Sequence, residues 1–123
     1  MRRITTAIAV ALALLGLAAP DAAASATIHD GPVVFRVVGD GLHVKRASSA
    51  WNGSHHASAR LMLVRRGRDH DSVTGWQRGR VHRAGGSTWT DVAWNLKNRR
   101  FPDGSRLCVQ WEARSYVCAT IHD

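Results

Sequence analysis

Apolar and polar residues alternate along most of this chain, which is typical of β-strands that bury one face. The clearest case is residues 57–63, where Ala57, Ala59, Leu61 and Leu63 share a face. Turn residues recur at about the 8–12-residue spacing of sandwiches and barrels. The pattern predicts seven strands, at 32–38, 42–46, 57–63, 72–82, 90–96, 105–111 and 115–121, with a loop at 48–54 and a polar connection at 66–71.

The last two strands form a hairpin that contains both cysteines. With a three-residue turn at 112–114, Cys108 faces Cys118. The pairs nearer the turn are then Gln110–Tyr116 and Trp111–Ser115. Leu107, Val109, Trp111, Val117, Ala119 and Ile121 then form one apolar face, and both cysteines lie on the other. Residues opposed on antiparallel strands are close enough for a disulfide, which fits better than a metal pair or a reactive thiol. We therefore predict a Cys108–Cys118 disulfide outside the core.

Seven short antiparallel strands favour a small all-β sandwich of the immunoglobulin-like type. Residues 88–94 and 101–109, with the corner Phe101-Pro102-Asp103-Gly104, resemble the strand, Pro-Asp-Gly corner and strand of bacterial immunoglobulin-like and fibronectin-type modules. The chain is also similar to uncharacterised small secreted proteins of actinobacteria in its size, export signal, arginine content and disulfide. The first resemblance implies the fold, and the second implies secretion without a particular activity.

The N-terminal segment has the layout of a secretory signal peptide. Arg2 and Arg3 precede an uncharged run at 4–19, and the small-residue stretch that follows ends Ala24-Ser25-Ala26, which predicts cleavage after Ala26. As a membrane anchor the run is short of the roughly 20 residues that a span requires. We expect residues 1–26 to be a signal peptide, residues 27–123 to be one extracellular domain, and no membrane span after cleavage.

Charge gives the first indication of a partner. The full chain has a formal charge of +8, and loss of Arg2, Arg3 and Asp21 leaves 15 basic and 8 acidic residues, or +7. A basic surplus favours anionic partners, although it also serves solubility alone. Trp76, Arg78, Arg80 and His82 alternate on the predicted strand 72–82, so a regular strand would place all four on one face. We expect this stripe to bind an anionic polymer or cell surface, such as a cell-wall polymer.

A second hypothesis places function in two loops, 48–56 and 66–71. Trp51 in an open loop, beside His55 and His56, would be a suitable anchor for another secreted or surface protein. An inhibitor or antimicrobial domain would use the same loops. The sequence leaves the oligomeric state and the identity of any partner open.

Groups for catalysis or metal binding show no supporting spacing. Glu112 is the single glutamate of residues 27–123 and lies in the predicted turn, whereas Asp91 lies on a predicted strand. We expect no enzymatic activity, no catalytic residues, no metal and no cofactor. A small hydrolase is the alternative if Glu112 or Asp91 shares a cleft with a histidine, because a base must lie within reach of its substrate.

The segment Ala26-Thr27-Ile28-His29-Asp30 recurs as residues 119–123. Five residues are too few for a structural repeat of the solenoid kind. Two readings remain open: the two copies lie on adjacent strands, or the identity is a coincidence.

Overall fold

The computed structural model describes residues 25–65 and 70–123, and all regular structure in these residues is β-strand. We number the strands in chain order. They are β1 (Ala26–Asp30), β2 (Val33–Asp40), β3 (His43–Asn52), β4 (Ser58–Val64), β5 (His70–Ser72), β6 (Gln77–Arg78), β7 (Arg80–Ala84), β8 (Ser87–Arg100), β9 (Arg106–Trp111) and β10 (Val117–Thr120).

The strands form two antiparallel sheets. The first sheet has the order β1-β2-β3-β8-β7, and the second has the order β10-β9-β4-β5, with β6 also pairing with β4. Within them, β2-β3-β8-β7 and β10-β9-β4 reproduce the strand order A-B-E-D and G-F-C of immunoglobulin constant domains. The predicted immunoglobulin-like β-sandwich is therefore confirmed, with β1, β5 and β6 as short additions to the seven expected strands.

The core is formed by the facing sides of the two sheets. Val33, Phe35 and Val37 of the first sheet are at most 1% exposed, as are Leu61 and Trp111 of the second. Burying a side chain of this size contributes about 1.5–3 kcal/mol. The indole Nε1 of Trp111 donates to Ser49 Oγ at 3.0 Å, and that hydroxyl donates to the Val34 carbonyl at 2.8 Å. These buried polar side chains therefore satisfy each other, whereas the buried indole Nε1 of Trp94 has no hydrogen-bond partner among the described residues.

The closing hairpin confirms the predicted register where its strands pair. Cys108 is opposite Cys118, Val109 is opposite Val117, and the two cysteines are joined by a disulfide. All six residues of the predicted apolar face are at most 5% exposed: Leu107, Val109, Trp111, Val117, Ala119 and Ile121.

The predicted pairs Gln110–Tyr116 and Trp111–Ser115 are wrong, because the loop is longer than three residues. The N–H of Arg114 donates to the Trp111 carbonyl at 3.1 Å, which closes a turn with Ala113 at a φ of 63°. Glu112 then bonds to β4 instead of extending the hairpin: its N–H donates to the Ser58 carbonyl at 3.0 Å, and its Oε1 accepts the Ser58 N–H at 2.6 Å.

Strand β3 runs through most of the loop predicted at 48–54, and that prediction is wrong. A bulge shifts the register between Val44 and Arg46, so Lys45 and Arg46 are both exposed and Ala47 takes the next buried position. An extra residue in one strand changes which side chains face inward, and hydrophobic alternation alone does not locate it. Trp51 consequently lies on a strand.

The single strand predicted at 72–82 is also wrong, because the chain changes sheets within it. Gln77–Arg78 pairs with β4 in the second sheet, and Arg80–Ala84 pairs with β8 in the first. Between them lies Gly79, whose N–H donates to the Ala57 carbonyl at 2.9 Å. A glycine inside a strand pattern often marks such a bend or a close backbone approach.

Two residues of β8 adopt left-handed backbone conformations opposite the Lys45 bulge. Lys97 has a φ of 54° and Asn98 a φ of 59°. The conformation costs an ordinary residue about 1–2 kcal/mol, although Asn tolerates it better.

We expect Lys97→Gly to stabilise the domain by about 0.5–1 kcal/mol, measured by urea unfolding, because the relief of backbone strain exceeds the entropy cost of glycine. Lys45→Gly removes the same charge at a residue with negative φ, so it should destabilise; stabilisation by both variants would contradict this account.

The predicted signal peptide lies almost wholly outside the described residues, which begin at Ser25. Ser25 Oγ donates to the Gly39 carbonyl at 2.9 Å, and Ala26 pairs with Val37, so two residues before the predicted cleavage point contact the sheet.

The two copies of the pentapeptide meet at one side of the sandwich, since β10 lies against β1. In the part of the chain that the structure describes, no helix is long and apolar enough to cross a membrane.

Candidate functional site

The four residues of the predicted stripe do not share a face. Trp76 lies outside the strands and is 47% exposed, and the guanidinium of Arg60 from β4 lies 4.4 Å from its ring centroid. Arg78 pairs with Ser58 in the second sheet, whereas Arg80 and His82 lie on β7 of the first sheet. The structure therefore brings together only Arg80 and His82 of the predicted set.

The predicted interaction loop is a stacked cluster at one end of the sandwich. The rings of Trp51 and His55 stack at a centroid distance of 3.6 Å, and the guanidinium of Arg114 lies 5.3 Å from the Trp51 ring. His55 Nε2 is 2.7 Å from the Asn52 carbonyl oxygen, and His56 is exposed. Trp51 is thus half-buried with two stacking partners from its own chain, which removes the open-loop tryptophan on which the second hypothesis depended. Of loop 66–71, residues 66–69 lie outside the described part.

The outer face of the first sheet has a floor of small side chains. Ser48 on β3 and Ala93 on β8 are register partners, and Ala50 is the partner of Asp91 in the next outward-facing pair. Larger side chains flank them, with Arg36 opposite Ser48 on β2 and Arg80 opposite Asp91 on β7. Because the side chains at 48, 50 and 93 are small and those on the flanking strands are long, the face is depressed between the two arginines.

Three adjoining depressions follow this floor. The first, of about 420 Å³, lies at the bulge; the second, of about 260 Å³, shares Ala93 with it; the third, of about 160 Å³, shares Asp91 with the second. We call this surface the basic trough and define it by its outward-facing polar and small residues: Arg36, Lys45, Arg46, Ser48, Ala50, Gln77, Arg80, His82, Asp91, Ala93 and Asn95.

The trough carries four cations and one acid. Arg36, Lys45, Arg46 and Arg80 against Asp91 give a formal charge of +3 with histidine neutral. Within residues 25–65 and 70–123, no carboxylate lies within ion-pair distance of any of the four cations. Of the other described arginines, Arg60, Arg99 and Arg114 lie over aromatic rings and Arg65 pairs with Asp71, whereas Arg78, Arg83, Arg100 and Arg106 are exposed. What distinguishes the trough cations is that all four border the three adjoining depressions.

Asp91 lies at the centre of the trough and is held by His82. The distance from His82 Nε2 to Asp91 Oδ1 is 2.8 Å, and the side chains of His82 and Asp91 are 40% and 38% exposed. His82 also stacks on Trp89, its cross-strand partner, with ring centroids 5.5 Å apart. The contact fixes the orientation of the carboxylate and leaves Asp91 Oδ2 to accept a further hydrogen bond.

Asp91 and a histidine thus share a cavity, which is the arrangement on which the hydrolase alternative depended. The two groups are hydrogen-bonded to each other, so Asp91 would orient the imidazole of His82 and not act as a separate base or acid across a substrate. Glu112 is instead bonded to the backbone of Ser58. Within the described ranges, no three histidine, cysteine or carboxylate side chains are grouped to hold a metal ion.

Sequence reasoning missed Arg36, Lys45, Arg46 and Asp91 as members of one surface. Because side chains alternate along β2, Arg36 points away from the buried Phe35, so its outward orientation could be predicted from the sequence. Its proximity to Arg46 and Asp91 depends on the strand order β2-β3-β8-β7, which no local pattern contains.

Comparison with known proteins adds no residue to this set: no protein-family model, no curated protein and no solved structure matches the chain.

Proposed function

We propose that this protein is a secreted, non-enzymatic binding module for an anionic polymer or an anionic cell surface, and that the basic trough is its binding site. The observation that carries the proposal is the grouping of four cations around one concave floor, with no ion-pair partner for them among the described carboxylates. Guanidinium groups bind phosphate and carboxylate through paired hydrogen bonds.

Export is part of the proposal and has two supports. The first 26 residues have the charged, apolar and small-residue segments of a signal peptide. The Cys108–Cys118 disulfide is of the kind that persists in oxidising compartments outside the cytosol. An anionic polymer of the cell wall would be within reach of such a protein.

The test is binding of the purified domain to an immobilised polyanion at increasing salt. Affinity should fall steeply with salt, because each neutralised anion releases counterions. Arg36→Gln combined with Arg80→Gln should weaken binding about tenfold, which corresponds to about 1.4 kcal/mol for the two charges. Glutamine keeps both positions polar, so the fold should persist by circular dichroism.

The matched control is Arg106→Gln combined with Arg78→Gln. It removes the same charge from exposed residues of the second sheet. This control should bind nearly as the wild type does. Equal losses in the two double variants would show that net charge alone drives binding and that the trough is not the site.

A further inference from the structure

We infer that the trough takes a linear polyol phosphate, a chain in which phosphodiesters alternate with small hydroxyl-bearing units. This inference rests on the proposed function and names its ligand class. Three features of the trough support it: its span, the chemistry of its centre and the nature of its floor.

Two of the four cations lie on opposite rims. Arg36 is on β2 and Arg80 is on β7, with β3 and β8 between them, and Lys45 and Arg46 lie on β3 at the bulge. Three strand spacings of about 4.8 Å place the backbones of these rims about 14 Å apart. A chain that crosses the strands would engage both rims along its length.

The centre of the trough is acidic. Asp91 borders the cavity that Arg80 lines and also the cavity that Arg36 lines, so a chain running between the rims passes over it. An anion at that position would be repelled, whereas a hydroxyl would donate a hydrogen bond to the carboxylate. Across the trough, a cation, a hydrogen-bond acceptor and a second cation follow in that order. This order is complementary to a phosphate, a hydroxyl-bearing unit and a second phosphate.

The floor offers little to a base or a bulky side group. Ser48, Ala50 and Ala93 occupy it. The rings at the trough are engaged or buried: His82 stacks on Trp89 and bonds to Asp91, and Trp94 at the first depression is 7% exposed. Binding of single-stranded nucleic acid normally uses aromatic platforms on which bases stack. Anions carried in the chain itself also need less ordering than carboxylates on flexible side chains, which disfavours polyglutamate.

The experiment compares four octamers at equal ionic strength: poly(glycerol phosphate), inorganic polyphosphate, oligothymidylate and polyglutamate. We expect the wild type to bind poly(glycerol phosphate) about tenfold more tightly than each of the others, as one added charge-assisted hydrogen bond would give. Asp91→Asn should reduce the preference for poly(glycerol phosphate) over polyphosphate to near unity, mainly by improving polyphosphate binding. Asparagine keeps an acceptor for His82, and Asp103→Asn, in an exposed turn, is the control.

The outcomes separate the two proposals. Equal binding of all four octamers would overturn the inference and leave the proposed function standing. Binding of none would overturn both. Tighter binding of oligothymidylate would identify the trough as a nucleic-acid surface, and an unchanged preference in Asp91→Asn would show that the carboxylate does not select the ligand; either result overturns the inference.

Discussion

Replacing Gly79 with alanine is expected to destabilise the domain by about 3 kcal/mol, the upper end of the usual cost of overpacking. Gly79 is where the chain crosses from the second sheet to the first. A Cβ there would lie 2.6 Å from Thr90 Cγ2, 3.0 Å from Trp111 Cζ3 and 3.1 Å from the Ala57 carbonyl oxygen. Thr90 and Trp111 are at most 1% exposed, so neither can move without disturbing the core. Urea unfolding monitored by tryptophan fluorescence measures the loss.

Two further variants make the cause of that loss testable. Gly75→Ala has open space around the new methyl group and should be neutral within about 0.5 kcal/mol. Thr90→Ser removes the nearest atom, so Gly79→Ala combined with Thr90→Ser should lose less than the two single losses added together. Strict additivity would mean that the contact with Thr90 is not the source of the destabilisation.

Removal of the disulfide by Cys108→Ala with Cys118→Ala is expected to lower the free energy of unfolding by about 2–3 kcal/mol while leaving the fold intact. The disulfide lies on the outer face of the second sheet, beside Met62, rather than between the sheets. In the chain-entropy model, its loss acts by freeing the unfolded chain. The dependence of unfolding free energy on urea should therefore steepen as well, because the unfolded state becomes less compact.

Val64→Ala is the matched control for packing on the same face. Val64 is 6% exposed and pairs with Arg106 of β9, so its truncation removes contacts without changing any cross-link. It should lower stability with an unchanged urea dependence. If the free energy of unfolding in water of the cysteine double variant equals that of the wild type, the disulfide contributes nothing to stability.

The parts of the fold that the sequence predicted are those fixed by local alternation. The register of Cys108 with Cys118 and the buried face of β4 follow from period-two patterning. The errors lie where one residue breaks the period. The Lys45 bulge reversed the expected phase of β3, and Gly79 divided one apparent strand between two sheets.

The candidate site was less predictable because it is assembled from four strands. Arg80 and His82 were found by their spacing on one segment, but Trp76 and Arg78 were included on the assumption that the segment was regular. Arg36 and Asp91 lie 55 positions apart in sequence and face the same depression. Only the order of the strands joins them, and that order is a property of the whole sandwich.

Strand β7 is also an exposed edge of the first sheet. An unpaired edge is a template on which a second chain can add its own strand, and charged side chains prevent that addition. Arg80 and Arg83 are exposed on this short edge strand. The arginine that forms one rim of the trough thus also places a charge on this edge that opposes edge-to-edge pairing, so we expect an apolar residue at position 80 to promote aggregation.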